Sequence, residues 1–286
     1  MLRELKNEAK ITLLLHTKSP LTIRSKQTKR LNPTMLDMSC VKSRYQGKDT
    51  VIIPGSSLKG VIRSRYEKIA GILGGKCCIL FQDDKKCNNT PKNWDKMLYR
   101  EKREYVCKNL CPACQLFGSK IMASKIFIAD AYPIGDYVLG ERTGVGINRI
   151  TGAAQHKALY DFETVEEGTF QVGITLKNYE LYQMALLMYV LKDLDDGYVT
   201  LGAASTRGNG LMGVEKMEIC LREYRKGIQG WRGAIDGQEI PLGQKYNISY
   251  NWNGLFFGEL RLPVLSLDEM IDNCKCIDIQ GKMGRV

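Results

Sequence analysis

Gly168-Thr169-Phe170-Gln171-Val172-Gly173-Ile174-Thr175-Leu176, followed almost at once by Leu181-Tyr182-Gln183-Met184-Ala185-Leu186-Leu187-Met188-Tyr189-Val190-Leu191, holds the two periodicities that decide the fold. In the first segment Phe170, Val172, Ile174 and Leu176 alternate with polar or small residues, the period of a strand with one buried face. In the second, Leu181, Met184, Ala185, Met188 and Leu191 recur at helical spacing and make one apolar face. A strand that feeds a helix within a few residues is half of a β-α repeat. The rest of the chain supplies its counterpart.

Working outward, Lys10 to His16 reads as a strand with Ile11, Leu13 and Leu15 on one side. Val51-Ile52-Ile53 is a short buried run ended by Pro54-Gly55. Ser56 and Ser57 are good N-cap residues, and Leu58, Val61, Ile62, Ile69 and Ile72 then recur at helical spacing. Lys125 to Asp130 and Leu211 to Cys220 read as two more strands. The order is β-α-β-β-α-β, so an α+β fold with a ferredoxin-like or RRM palm is expected. Such sheets commonly present a face or their loops to RNA. Residues 74–120, rich in Cys, Lys, Asp and Asn, read as an insertion into that palm. Residues 135–165 show little periodicity. Beyond residue 221 the pattern weakens, but Trp231, Trp252, Phe256 and Phe257 need something to pack on. We expect one domain over 1–220 and an extension over 221–286 that packs on the core or on a neighbouring subunit.

The chain has 286 residues and a formal net charge of +11. Basic surfaces favour polyanions through Coulomb attraction and counterion release. No stretch approaches the length needed to cross a bilayer, and Met1-Leu2-Arg3-Glu4-Leu5-Lys6 lacks an apolar signal core. A cytoplasmic protein without membrane partners is expected. Disulfides do not fit that compartment, yet six of the ten cysteines lie between Cys77 and Cys114. Such clustering points to a metal.

Four constellations carry chemistry. In Pro54-Gly55-Ser56-Ser57-Leu58-Lys59-Gly60-Val61-Ile62-Arg63 a turn opens onto a helix whose free N–H groups suit a phosphate. Lys59 and Arg63 share one face there; the alternative is a capped helix with a solvated basic face. In Leu201 to Gly210, small residues allow close approach of a nucleic-acid backbone and Arg207 offers a forked phosphate contact; a flexible turn is the alternative. Cys111-Pro112-Ala113-Cys114 is a C-x2-C knuckle, and structural zinc wants four thiolates in a tetrahedron. Cys78, Cys87, Cys111 and Cys114 are the expected set, with Cys107 as the rival ligand. The metal would hold together an insertion with little core. Lastly, Asp37 follows the basic stretch Arg24 to Arg30, where a carboxylate can hold Mg²⁺ or align a 2′-hydroxyl. On the residues alone, a solvated loop acid explains it as well.

Ile53-Pro54-Gly55-Ser56-Ser57-Leu58-Lys59-Gly60 and the glycine-rich Gly202 to Gly210 resemble the signatures of the CRISPR RAMP proteins. Cys111-Pro112-Ala113-Cys114-Gln115-Leu116-Phe117-Gly118-Ser119, Arg142 to Gly152 and Tyr160-Asp161-Phe162-Glu163 are similar to the Cas7 branch, type III-D members above all. The resemblance covers about residues 8–220. It implies a subunit that stacks into a helical filament along guide crRNA, on an RRM-like palm with a zinc-bound insertion. It further implies a thumb hairpin over about 135–165 that wedges between guide and target, matched here by Val145 to Gly152. Expected RNA contacts are Arg24, Lys26, Ser56, Ser57, Lys59, Arg63, Arg142, Asn148, Arg149, Arg207 and Gly208. Asp37 matches by position the aspartate that supports cleavage of complementary target RNA with Mg²⁺ or Mn²⁺. Implied partners are other Cas7-like subunits and Cas5-, Cas10- and Cas11-type subunits. Two other readings stay open: a non-catalytic RNA-binding filament subunit, and a Cas6-like endoribonuclease that processes the guide through His16 or His156.

Overall fold

Alternating apolar side chains shape the first strand, β1 (Asn7–Thr17), and put Ala9, Ile11, Leu13 and Leu15 on one buried face. The structure is a computed structural model that describes residues 4–25, 36, 38–78, 87, 90–91, 93–235, 237–252 and 256–283. A short ribbon of β2 (Lys42–Tyr45) and β3 (Lys48–Val51) precedes α1 (Gly55–Ile72). The stretch expected to be an insertion, 74–120, carries α2 (Tyr99–Asn109) and α3 (Pro112–Phe117). Next come β4 (Ile126–Ile128), β5 (Tyr132–Pro133) and an antiparallel hairpin of β6 (Val138–Ile147) and β7 (Ala154–Glu167). β8 (Thr169–Lys177) leads into α4 (Leu181–Asp195), and β9 (Met212–Glu223) returns to the sheet. The last part holds β10 (Trp231–Arg232), β11 (Glu239–Ile240), α5 (Leu242–Tyr246), β12 (Gly258–Arg261), α6 (Leu267–Cys274) and α7 (Ile279–Met283).

The main sheet has six strands in the order β12-β9-β1-β8-β4, with β5 also pairing β8. All its pairings are antiparallel. β1 runs through the middle, with Ile11 opposite Ile174 of β8 on one side and Ile219 of β9 on the other. The buried face of these strands meets α1 and α4. α1 contributes Leu58, Ile62, Tyr66 and Ala70 at steps of four. α4 is buried nearly all round because α1, β9 and α6 each lie against it. The chain is therefore a mixed α+β protein built on antiparallel sheets.

The local differences from expectation have clear causes. α1 starts at Gly55 with Pro54 as its N-cap, so Ser56 and Ser57 lie inside the first turn and cap nothing. Ile72, expected on the buried face, is 82% exposed at the helix end. The strand expected over 125–130 pairs β8 at Ile126–Ile128 and is interrupted at Asp130 and Ala131, where Asp130 accepts from the Gly55 N–H and Ala131 bridges to Ile53, before β5 rejoins β8. β9 runs on to Glu223, where β12 joins it. Trp231 is buried and donates its indole N–H to the Tyr179 hydroxyl at 2.6 Å. Among the described residues no helix is long and apolar enough to cross a membrane.

Candidate metal centre and nucleic-acid interface

Cys111 caps α3 from an extended conformation, with Pro112 in the first helical position where its missing N–H costs nothing. This geometry turns the Cys111 and Cys114 side chains toward one point, and the Cys114 N–H donates to the Cys111 sulfur at 3.4 Å. Cys78 and Cys87 arrive from the far side. The sulfurs of Cys78 and Cys114 are 3.4 Å apart and those of Cys78 and Cys111 are 3.7 Å apart. The Cys111 N–H donates to the Cys87 sulfur at 3.3 Å. All four are buried, and their sulfurs lie within 4.8 Å of one another. Zinc–sulfur bonds of 2.3 Å arranged tetrahedrally give edges of about 3.8 Å, so the donor set fits a structural zinc. Cys107 is not in the group.

The electrostatics fit the same cation. The Cys111 thiol is held far below the ordinary range, because the thiols of Cys114, Cys77 and Cys87 all donate to its thiolate. Cys114 and Cys87 are pushed up, first by their bonds to Cys111. Burial and the Cys111 charge push Cys78 up to about 12. Four sulfurs this close cannot all ionise unless a cation lies among them. The knuckle is also more deeply set than an insertion with little core would be. Every residue of α3 is buried, Phe117 meets Tyr66 of α1 edge-on, and Gln115 accepts from the Tyr182 hydroxyl of α4 at 3.3 Å.

The first turn of α1 is not an open anion cradle. The Gly55 N–H donates to the Asp130 carboxylate at 2.7 Å, so an acid from the end of β4 already answers the helix dipole. A Cβ at Gly55 would lie 2.3 Å from the Ile128 carbonyl oxygen, which explains glycine there. Lys59 donates to the Ser124 hydroxyl at 2.8 Å and the Ile126 carbonyl at 3.3 Å. Arg63 points at the cysteines. Its Nη2 donates to the Cys114 sulfur at 3.4 Å, Nη1 to the Gly118 carbonyl at 3.3 Å, and Nε to Glu67 at 2.8 Å. The expected pair of phosphate-gripping cations is thus turned inward.

A second group forms at the base of the hairpin. Leu21 bridges to Val165 and Met38 to Phe162, while Arg24 bridges to Cys40, so the segments around 21–24 and 38–40 lie beside β7. Buried Glu163 accepts from the Cys40 N–H and from Lys42, both at 2.9 Å. The glycine-rich loop joins through the Ala203 N–H, which donates to the Thr22 carbonyl. Gly202 has a positive φ and sits where a Cβ would strike that same carbonyl, so the chain itself requires this glycine. Gly208 also has a positive φ, with open space around it. Arg207 donates to the Tyr160 hydroxyl of β7, and the Tyr160 ring lies across Gly144 of β6. Arg142 forms a two-pronged pair with Glu166, each contact 3.2 Å. At the hairpin tip the Asn148 carboxamide oxygen accepts from the Ile150 and Thr151 N–H groups, which presents Arg149 and Ile150 to solvent.

The structure therefore brings together the four predicted cysteines, and it gathers Arg24, Arg142, Arg207 and Gly208 around the hairpin. It sends Lys59 and Arg63 elsewhere. Asp37 and Lys26 lie outside the described residues, as does the side chain of His156. His16 lies against Gly213 of β9, with Nδ1 buried and unpartnered. Sequence reasoning gives no role to Asp130, the end of an expected strand, nor to Glu163 or a Tyr160–Arg207 link, although Tyr160 and Glu163 stand in the motif Tyr160-Asp161-Phe162-Glu163 that carries the resemblance. Residues 15–213 match the family model of the RAMP superfamily. No curated protein matches the chain.

Proposed function

This chain belongs to the RAMP superfamily, and from that premise we propose that it is a Cas7-type, guide-RNA-binding backbone subunit of a type III, III-D-like, CRISPR effector complex. The observation that carries the reading is the hairpin β6–β7. It is exposed along most of β6, with Ile150 at its tip 95% exposed, and it is tied midway along its length to the glycine-rich loop through Tyr160 and Arg207. In this reading it is the thumb that wedges between guide and target. The strand order, with α1 and α4 on one face, supports a ferredoxin-like palm over 1–220, and the four cysteines support a zinc-bound insertion over 74–120. Residues 221–286 extend the palm through β12. Arg24, Lys26, Arg142, Asn148, Arg149, Arg207 and Gly208 grip the guide backbone; Ser56 and Ser57 flank its path. Partners are crRNA, complementary target RNA, further Cas7-like copies and Cas5-, Cas10- and Cas11-type subunits, in the cytoplasm.

In the same reading the subunit is an endoribonuclease. Asp37 holds a divalent cation, Mg²⁺ or Mn²⁺, that screens charge at the scissile phosphate of the target. The target's own 2′-hydroxyl attacks, leaving a cyclic phosphate. The alternative is a non-catalytic RNA-binding filament subunit, which shares the hairpin and the basic residues and differs in Asp37 being inert. For the Cas6-like alternative, the buried Nδ1 speaks against His16 as its catalytic group.

The test is assembly with guide RNA and partner subunits, then addition of complementary target RNA with Mg²⁺. Wild type should cut at regular intervals, and Asp37→Ala should abolish the cuts while target binding stays. Tight binding without cuts in wild type would establish the non-catalytic reading. Cuts unchanged by the mutation would remove Asp37 from the chemistry.

A further inference from the structure

The cation that faces the cysteine cluster belongs to a helix outside the insertion. Arg63 sits in the third turn of α1, one helical turn after Lys59. Its side chain is 14% exposed, and its guanidinium is engaged on every side: Cys114 sulfur, Gly118 carbonyl, Glu67 carboxylate, and the Phe117 ring 5.9 Å below. A zinc ion with four thiolates carries two net negative charges, and a buried anion of that size needs a counter-charge or donors. The backbone supplies N–H groups to the sulfurs of Cys111 and Cys87. Among the described residues, and apart from the cluster's own thiols, the donor to the Cys114 sulfur is Arg63.

We propose that Arg63 is a positioning residue of the zinc centre, whose hydrogen bond to Cys114 stabilises that thiolate and anchors the insertion to α1. This rests on the zinc reading of the four cysteines. The reasoning is electrostatic. An N–H of a fixed cation offsets part of the negative charge on the sulfur it touches and fixes that sulfur's orientation, so a metal bound there is held more tightly. The planar fork is what lets one side chain reach sulfur, carbonyl and carboxylate together. Lysine, a point charge on a flexible stem, keeps the charge and loses the geometry. Glu67 holds the fork in place at Nε, so it acts on the metal only through Arg63.

The experiment uses the full chain, with zinc content measured by elemental analysis and zinc affinity by competition with a chromophoric chelator. Wild type should hold one zinc per chain. Arg63→Leu should bind zinc about 10- to 100-fold more weakly; Arg63→Lys should recover part of the loss, and Glu67→Gln should show a smaller loss. A Co²⁺-loaded sample adds a readout that a merely structural role would not move. Its sulfur-to-cobalt charge-transfer band should shift in Arg63→Leu, because the bond to Cys114 changes. Should Arg63→Leu not fold, Glu67→Gln and Arg63→Lys carry the same comparison. Zinc affinity and charge-transfer band equal to wild type in the folded variants would overturn the proposal and leave the zinc centre intact. A wild-type chain that takes up no zinc would overturn the zinc reading itself. Loss of RNA affinity with metal binding unchanged would return Arg63 to the RNA surface and overturn it too.

Discussion

At the scale of single residues, the cysteines separate by what surrounds them rather than by how they are spaced. Cys107 and Cys111 are both within reach of the knuckle in sequence, but only Cys111 points into the group. Cys107 sits on α2, where burial raises its thiol. Cys111→Ser should therefore abolish zinc retention after gel filtration, and Cys107→Ser should retain one zinc per chain. Elemental analysis of the two purified variants decides it, and loss of zinc in Cys107→Ser would reverse the ligand set. The same scale explains why Arg63 misled sequence reasoning. A basic residue four positions after Lys59 looks like half of a surface clamp. Nothing in local spacing tells whether a helix face meets solvent or an inserted segment, and here Gly118 and Phe117 come back across it.

At the scale of elements, legibility followed burial on one face. β1 and β8 were readable because Ile11, Leu13, Phe170 and Val172 face a core while their neighbours do not. The hairpin β6–β7 was unreadable from periodicity for the opposite reason. Both faces of β6 are largely open, so no alternation is imposed on it; only the resemblance pointed to a hairpin there. The four residues of β12 were too few to show a period. The start of α1 was misplaced because its first N–H is answered by Asp130, distant in sequence, instead of by a local serine. The hairpin also carries a prediction about coupling. Tyr160 connects β7 to the loop through Arg207. Tyr160→Phe removes that bond and should weaken guide-RNA binding by about 1 kcal/mol, roughly fivefold, with little change in unfolding midpoint. Gly144→Val displaces the Tyr160 ring, since a Cβ there would lie 2.3 Å from it. It should give a similar loss, and the double variant should lose no more than either single one. Additive losses in a filter-binding assay would break the link.

At the scale of the whole molecule, the cysteines outside the metal group set a limit at alkaline pH. Burial, with the Glu163 charge second, pushes the Cys40 thiol from 9.0 up to about 11. Burial pushes Cys274, on the side of α6 that meets the core, from 9.0 up to about 12. Both groups keep their protons in the folded chain at pH values where the unfolded chain has lost them. Their contribution to stability is complete below pH 9.0 and lost as pH rises through about 11 and 12. Thermal melts of the zinc-loaded protein should fall across that window. Cys274→Ala should start lower, from the cavity it leaves, and fall less steeply. A wild-type melting temperature that stays flat to pH 12 would contradict the burial of both thiols.

The flanks of the main sheet bear on a different property. One is closed by the three-residue β4 with the two-residue β5, the other by the four-residue β12. Long, flat outer strands are templates on which foreign chains add by backbone pairing, and short ones are not. In the proposed filament, copies side by side at high local concentration would run a particular danger of uncontrolled fibre growth if such edges were long. Here that danger is blunted at both margins, so stacking in that filament would fall to side-chain surfaces, which can distinguish one neighbour from another.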